Sequence, residues 1–387
     1  MTIRNRVLLC LMLLGLPAAL WLAFLAEAPN RLVSGQGQPL AHYLAGPRYL
    51  LLLPLIAWLA AVFARPSPRW QLCIIACSGA WLGGLTWLAG DAARSIAQTA
   101  SPLARTSLGG AFWLLCLLGW LAAGDATARL PSSWVRRGQR QLWALLPLLP
   151  VLCLLASGQL DELSLLKEYH NRREVFTDAL VAHLTLVLGA LLPTLALGLP
   201  LGWSLYHRPL RQGPVLAVLN LVQTLPAIAL FGLLIGPLAA LAAAWPALGE
   251  LGIQGVGAAP ALIALTLYAL LPITRSVLSG LVQVPATARE AATAMGLNGW
   301  QLFRQLELPL ALPVLLAGLR LTVIQLIGLA MLAALVGAGG LGTLMFQGLA
   351  SSALDLILLG VLPAAALTLL VDAGFKHWAA NLKGALP

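Results

Sequence analysis

Charge is scarce in this sequence. Of its 387 residues, 9% are Asp, Glu, Lys or Arg and 60% are hydrophobic. Soluble domains carry about 25% charged and 45–50% apolar residues, so the chain is an integral membrane protein. Acid is scarcer than base, 13 residues against 23, for a net charge of +10. The basic residues are scattered among the inter-helix loops, without the aromatic-interleaved stripe that tracks phosphates. That excludes a nucleic-acid groove and fits the positive-inside bias of membrane proteins. Lysines follow only Leu166, Phe375 and Leu382, so no Gly-Lys pair exists. A phosphate-cradling GxxxxGK[ST] loop cannot be built, and the chain cannot hydrolyse ATP by itself. The five cysteines (Cys10, Cys73, Cys77, Cys116, Cys153) all fall in apolar runs. Without CxxC spacing or histidine company they form no metal site. Cys73 and Cys77 share a helix face, where packing accounts for them. No HExxH, paired intramembrane Asp or Ser-Lys dyad marks a membrane-embedded enzyme.

Long apolar runs are abundant. At about 1.5 Å rise per residue, stretches near 7–26, 49–64, 70–89, 108–124 and 142–157 can cross a bilayer. After a polar break they resume near 178–206, 214–236, 258–279, 311–336 and 353–373. The run 7–26 is too long for a secretory signal core and reads as an uncleaved first helix. The run 214–244 exceeds one span, and Gly236-Pro237 is expected to split it. The fold class is all-α: a polytopic membrane protein of about ten transmembrane helices.

Ten spans put both termini on one side. That side carries Arg4, Arg6, Arg65, Arg69, Arg129, Arg136, Arg137, Arg140, Arg208, Arg211, Arg289, Arg304, Lys376 and Lys383. The other carries Arg31, Arg48, Arg94, Arg105, Lys167, Arg172 and Arg173, half as many, while Arg275 and Arg320 sit within helix ends. The bias places the termini and the 280–310 loop in the cytoplasm. Four regions follow: a Trp-rich five-helix membrane extension (1–157), an external acidic linker (158–177), a Gly- and Pro-rich core (178–375) and a cytoplasmic tail (376–387). Nine of the thirteen tryptophans precede residue 158, a pattern of interfacial anchoring.

One polar segment stands out between apolar runs: EAATAMGLNGWQLFRQLELP, residues 290–309. Arg289, Glu290, Arg304 and Glu307 alternate in sign, and Ala291, Ala292 and Ala294 permit close approach by another protein. Gly296 and the Asn298-Gly299 pair are expected to supply positive φ, with Pro309 starting the next helix. Residues 286–296 are strong helix formers and predict a short helix along the membrane face, closed by a left-handed cap at Gly296. Arg304 and Glu307, at i,i+3, predict an exposed pair worth a few tenths of a kcal/mol.

Glu290-Ala291-Ala292, Gly296, Leu306, Leu308 and Pro309 reproduce the spacing of the EAA motif, with Leu for its usual Ile. The chain thereby resembles the permeases of binding-protein-dependent ABC importers. Two further stretches resemble the osmoprotectant branch (glycine betaine, choline, carnitine) of that family. One is NLVQTLPAIALFGLL, with Asn220, Gln223, Thr224 and Pro226; the other is ALVGAGGLGTLMFQGL, with Gly337, Gly339, Gly340 and Gly342. The resemblance covers about 178–375, and the N-terminal half resembles the extended permeases of betaine-type systems. It implies a dimer of permeases, identical or paralogous, two cytoplasmic ABC ATPases that carry ATP and magnesium, and an external (periplasmic or extracellular) solute-binding protein. The membrane is then the bacterial inner membrane. It further implies that residues 286–296 dock in a groove of the ATPase, with Glu290 as polar anchor and Ala291 and Ala292 as the close-approach surface. The cargo would be glycine betaine or a related osmoprotectant. An amino acid such as methionine is the rival cargo, and an ion-coupled secondary carrier the rival mechanism.

The glycine run 337–342 cannot hold a regular helix cheaply and reads as a gate near the external mouth. His183, Thr185, Gln223, Thr224, Tyr268, Gln325 and Asp355 are the intramembrane polar groups, functional candidates by default. Gln223 and Thr224 are candidates to line the pathway, and Asp355 to cap its helix. The core shows no obvious buried charge pair of the sort ion-coupled carriers use. Asp161, Glu162, Glu168, Glu174 and Glu250 are candidates to face the external partner.

Overall fold

A computed structural model describes residues 3–30, 33, 35–101, 103–135, 139–250 and 252–383. Arg31, Arg136 and Arg137 from the charge balance lie outside these residues, as does the side chain of Lys383. The chain forms two compact units, Met1–Asn171 and Arg172–Pro387.

In the first unit α1 (Arg6–Trp21) is capped by the Asn5 side chain, which accepts the Leu8 amide at 3.0 Å. The helix stops short of the expected residue 26. The chain turns instead into β1 (Leu25–Ala28), the central strand between β2 (Gln36–Gln38) and β3 (Arg105–Leu108), both antiparallel to it. This small sheet is an addition to an otherwise helical fold, and strands of only three or four residues are too short to leave a period-2 signal. The Tyr43 hydroxyl donates to Glu27 at 2.5 Å, and Arg48 pairs with Asp91 at 2.6 Å. Burial and the Glu27 carboxylate push the Tyr43 phenol well above its ordinary pKa.

The run 49–64 begins as a 3-10 turn, Gly46–Leu52, and continues as α2 (Leu53–Phe63). Next come α3 (Pro68–Thr99) and α4 (Gly110–Ala128). The run 142–157 is helical as far as Ala156: a short helix, Arg140–Leu145, passes through a 3-10 turn at Leu146–Leu148, around Pro147, into α5 (Leu149–Ala156). The unit ends in α6 (Ser164–Asn171), so the stretch expected as linker is largely helical. Glu168, offered above as partner-facing, is buried beside Arg105. Helix α3 is the spine of the unit: Gly83 lets Pro150 so near that an added Cβ would lie 2.6 Å from the proline's.

The second unit opens with α7 (Arg173–His207) and continues with α8 (Gln212–Thr224) and α9 (Ala227–Ala244). The break in the over-long run falls at Leu225-Pro226, not at Gly236-Pro237. Pro226 takes the N-cap of α9, where its missing N–H costs nothing, whereas Pro237 is carried inside the helix. Then come α10 (Ala258–Val282), α11 (Ala286–Ala294), α12 (Gly299–Ala330), α13 (Gly342–Ala350) and α14 (Leu354–Lys383). Most of the segment expected as a cytoplasmic tail is therefore the last turns of α14.

Helix α10 is the core element of this unit, packed between α7 and α12 and buried along most of its length. The chain supplies small residues where backbones must meet. Gly198 and Gly202, four apart on α7, sit against Ile273 and Val277, whose atoms lie 2.8 and 2.6 Å from where a Cβ would stand. Apolar surface gives no drive for helix association in lipid, so such close backbone packing supplies it. Eight helices of the described residues are long and apolar enough to cross a membrane, and two shorter apolar helices, Arg6–Trp21 and Leu142–Ala156, accompany them.

Candidate functional site

The polar segment becomes a two-helix elbow. Helix α11 starts after Pro285 and ends in a Schellman turn: Gly296 has φ +83°, its amide donates to Thr293, and the Leu297 amide donates to Ala292. Gly299 does not take positive φ, and neither does Asn298. Asn298 caps α12 in a reciprocal box, its side chain accepting the Gln301 amide at 2.9 Å while the Gln301 side chain accepts its own amide at 2.9 Å. That box starts the next helix at Gly299, ten residues before Pro309. A single wide π turn, Phe303–Glu307, then carries α12 past Pro309, which has no N–H for the carbonyl one turn back.

The ion pair in this elbow is not the one spacing suggested. Arg304 is exposed, and Glu307 is buried at 5% exposure against Arg289. Arg289 Nε donates to Glu307 Oε1 at 2.9 Å, its NH2 donates to the Leu281 carbonyl at 2.5 Å, and the guanidinium lies 5.2 Å from the Tyr206 ring centroid. One side chain of α11 thus grips α7, α10 and α12. Ala292 faces inward and is buried, so it presents no surface to a partner; Glu290, Ala291 and Ala294 face outward. Leu306, Leu308 and Pro309 lie half-buried along α12. An apolar cavity of 620 Å³ opens beside the elbow, lined by Trp203, Leu281, Trp300 and Phe303 among others.

The α8–α9 break is stitched to α10. Gln223 Nε2 donates to the Tyr268 carbonyl at 2.8 Å, and the Tyr268 hydroxyl donates to the Leu225 carbonyl at the break. Asn220 accepts from Arg275 at 2.8 Å, while Thr224 is spent on its own helix, at the Leu221 carbonyl. Thr185 likewise bonds back to Val181.

The glycine run lies at the far end of α12, whose 32 residues make it about 48 Å long at 1.5 Å per residue. A 3-10 turn, Leu332–Val336, ends at Gly337 with φ +77°, and Gly339 and Gly340 follow at +81° and +86°. Gly342 opens α13, where a Cβ would collide with the Met331 carbonyl. Three of the four glycines supply conformation and the fourth clearance. Asp355 sits in the first turn of α14. Nearer the elbow, Arg320 Nε pairs with Asp372 at 2.7 Å, and Lys376 reaches the other oxygen of Asp372 at 2.7 Å. The cluster is partly exposed, so it is not a buried charge pair of the kind ion-coupled carriers use.

Residues 194–383 match the family described as binding-protein-dependent transport system inner membrane component. Similarity to individual members covers most of their length. The osmoprotectant import permease protein OsmW of Salmonella typhimurium is 38% identical over 190 residues, 49% of this chain and 83% of that one. The chain belongs to the binding-protein-dependent permeases. A second relative, the glycine betaine/carnitine/choline transport system permease protein OpuCB of Bacillus subtilis, is 35% identical over 49% of this permease and 80% of its own length. Residues 4–166 match the N-terminal domain of the ABC transporter permease YehY. Among solved structures, an inward-facing MetNI methionine ABC transporter aligns at TM-score 0.48 and 24% identity, over 55% of this permease and 98% of that chain. The protein is a multi-pass membrane transport subunit and not itself an enzyme.

Sequence reading noticed Arg289 only as one of four alternating charges and Tyr268 only as an intramembrane polar group. What the permease does with each depends on partners 18 and 43 residues away. No local period encodes those separations.

Proposed function

We propose that this permease is the translocating subunit of an ATP-driven importer for glycine betaine or a related osmoprotectant. Cargo is delivered by an external binding protein, and two cytoplasmic ATPase subunits that carry ATP and magnesium drive the cycle. The observation that carries the reading is α11: a short helix tied by one arginine to three spanning helices, with Glu290 and Ala291 turned outward. Such an element moves the helices when a partner pulls on it. Glu290 is the polar anchor for the ATPase, Ala291 and Ala294 the close-approach surface, and Gly296 the cap that sets the elbow. The positive-inside bias supports placing this elbow and both termini in the cytoplasm of a bacterial inner-membrane protein. A second permease, identical or paralogous, completes the pathway.

The substrate class draws on the named cargo of the relatives and on the Asn220–Pro226 segment, whose Gln223 holds the broken helix to α10. The Gly337–Gly342 turn is the outer gate, at the opposite end of α12 from the elbow. Uptake of radiolabelled glycine betaine at high osmolarity, in cells with and without this gene, tests the cargo. Loss of uptake on deletion, restored by the wild-type gene but not by Glu290→Ala, is the expected result. Full uptake by a Glu290→Trp, Gly296→Val double variant, with ATPase association intact, would overturn the coupling role. Methionine uptake without betaine uptake would overturn the cargo.

A further inference from the structure

His183 is fully buried, ten residues into α7, and neither ring nitrogen is hydrogen-bonded. The Ile327 carbonyl of α12 acts on the ring without reaching bonding geometry. The Met331 amide, four residues on, donates to Gly328 and Leu329 rather than to that carbonyl. The glycine run lies directly over the ring. A Cβ at Gly340 would stand 3.4 Å from His183 Nδ1 and 3.5 Å from its Cα, and one at Gly339 would stand 3.6 Å from the Ala182 methyl. Buried polar groups in folded proteins are hydrogen-bonded as a rule. Ionisable side chains within spanning helices face the bundle interior or a water-filled route. A leucine would fill this site without leaving two ring nitrogens unmet.

We propose that His183 is a pathway residue, held dry beneath the glycine turn in this state and opened to the aqueous route when the turn lifts. The inference rests on reading Gly337–Gly342 as the outer gate. The turn is suited to such movement: its conformation depends on three glycines with left-handed φ, and one of them, Gly340, meets His183 without a side chain. The bonds that His183 lacks here are then made to water or cargo in the other state of the cycle.

The test uses the full chain in its membrane complex, with its five native cysteines replaced. His183→Cys reports the buried position and Ala338→Cys reports the turn. Labelling by a membrane-impermeant thiol reagent is compared between the nucleotide-free and the ATP-vanadate-trapped complex. The expected result is a change in His183→Cys labelling of about tenfold or more, the response of a shifted two-state population. Equal labelling in both states overturns the inference. If Ala338→Cys responds and His183→Cys does not, the gate stands and only the role of His183 falls. If neither responds, the gate falls too. Separately, His183→Leu in the native background should keep ATPase assembly and lose most uptake, with His183→Asn recovering part of it. Full uptake by His183→Leu also overturns the proposal.

Discussion

Replacing Arg289 by Met removes the charge that faces Glu307 while keeping most of the apolar stem. Glu307 is 5% exposed, so its carboxylate would be left buried without its cation. Breaking such a pair from one side costs about 3–5 kcal/mol. Arg289 is itself 23% exposed at the side chain, which favours the lower end, roughly 3 kcal/mol, because water screens part of the attraction. That is about a hundredfold in an opening equilibrium, and it acts on α11, whose other inward contact is the small Ala292. Amide hydrogen exchange across Ala286–Ala294 measures it directly: protection should fall about a hundredfold in Arg289→Met while the middle of α10 is unaffected. Glu307→Met should cost less, since Arg289 keeps the Leu281 carbonyl and the Tyr206 ring. The double variant should recover much of the loss, because it leaves no buried charge alone. A cycle whose two single effects add to the double within about 0.5 kcal/mol would refute the argument. So would unchanged protection in Arg289→Met.

Tyr268→Phe should strip the Leu225 carbonyl of its donor at the helix break, costing about 1–3 kcal/mol, read as a lower midpoint when the solubilised permease is unfolded with denaturing detergent. Gly202→Val should be the most damaging substitution on α7, since the backbone there meets Val277 and Thr274; failure of the variant to accumulate in membranes at wild-type levels would be the readout, and normal accumulation would refute close packing as the reason for glycine. Tyr43→Phe should make the first unit less sensitive to alkali. The Tyr43 pKa is raised by burial and by Glu27, so its contribution is full below the ordinary value near 10 and declines as pH climbs towards the folded value. A near-UV circular dichroism titration of wild type and variant checks this sign.

The class of molecule was legible without coordinates, because hydropathy and backbone hydrogen bonding in lipid leave few alternatives to long helices. The polar elbow was legible too. Glu290, Gly296 and Pro309 are fixed in spacing, and Gly296 ends α11 in a left-handed turn because only glycine takes that conformation without cost. Helix ends were read less well. The break at Pro226 and the continuity through Pro237 and Pro309 depend on what each missing N–H would have bonded, which composition does not record.

Chain sequence determined the membrane class, the number of apolar runs, the polar elbow and the glycine turn, since each arises from local composition or spacing. Tertiary structure alone decided the partners. It chose Glu307 over the adjacent Glu290 for Arg289, brought Asp372 to Arg320, turned Ala292 inward and laid the glycine backbone over His183. Those choices are made by helices meeting across many residues of sequence, where packing rather than period selects which side chains touch.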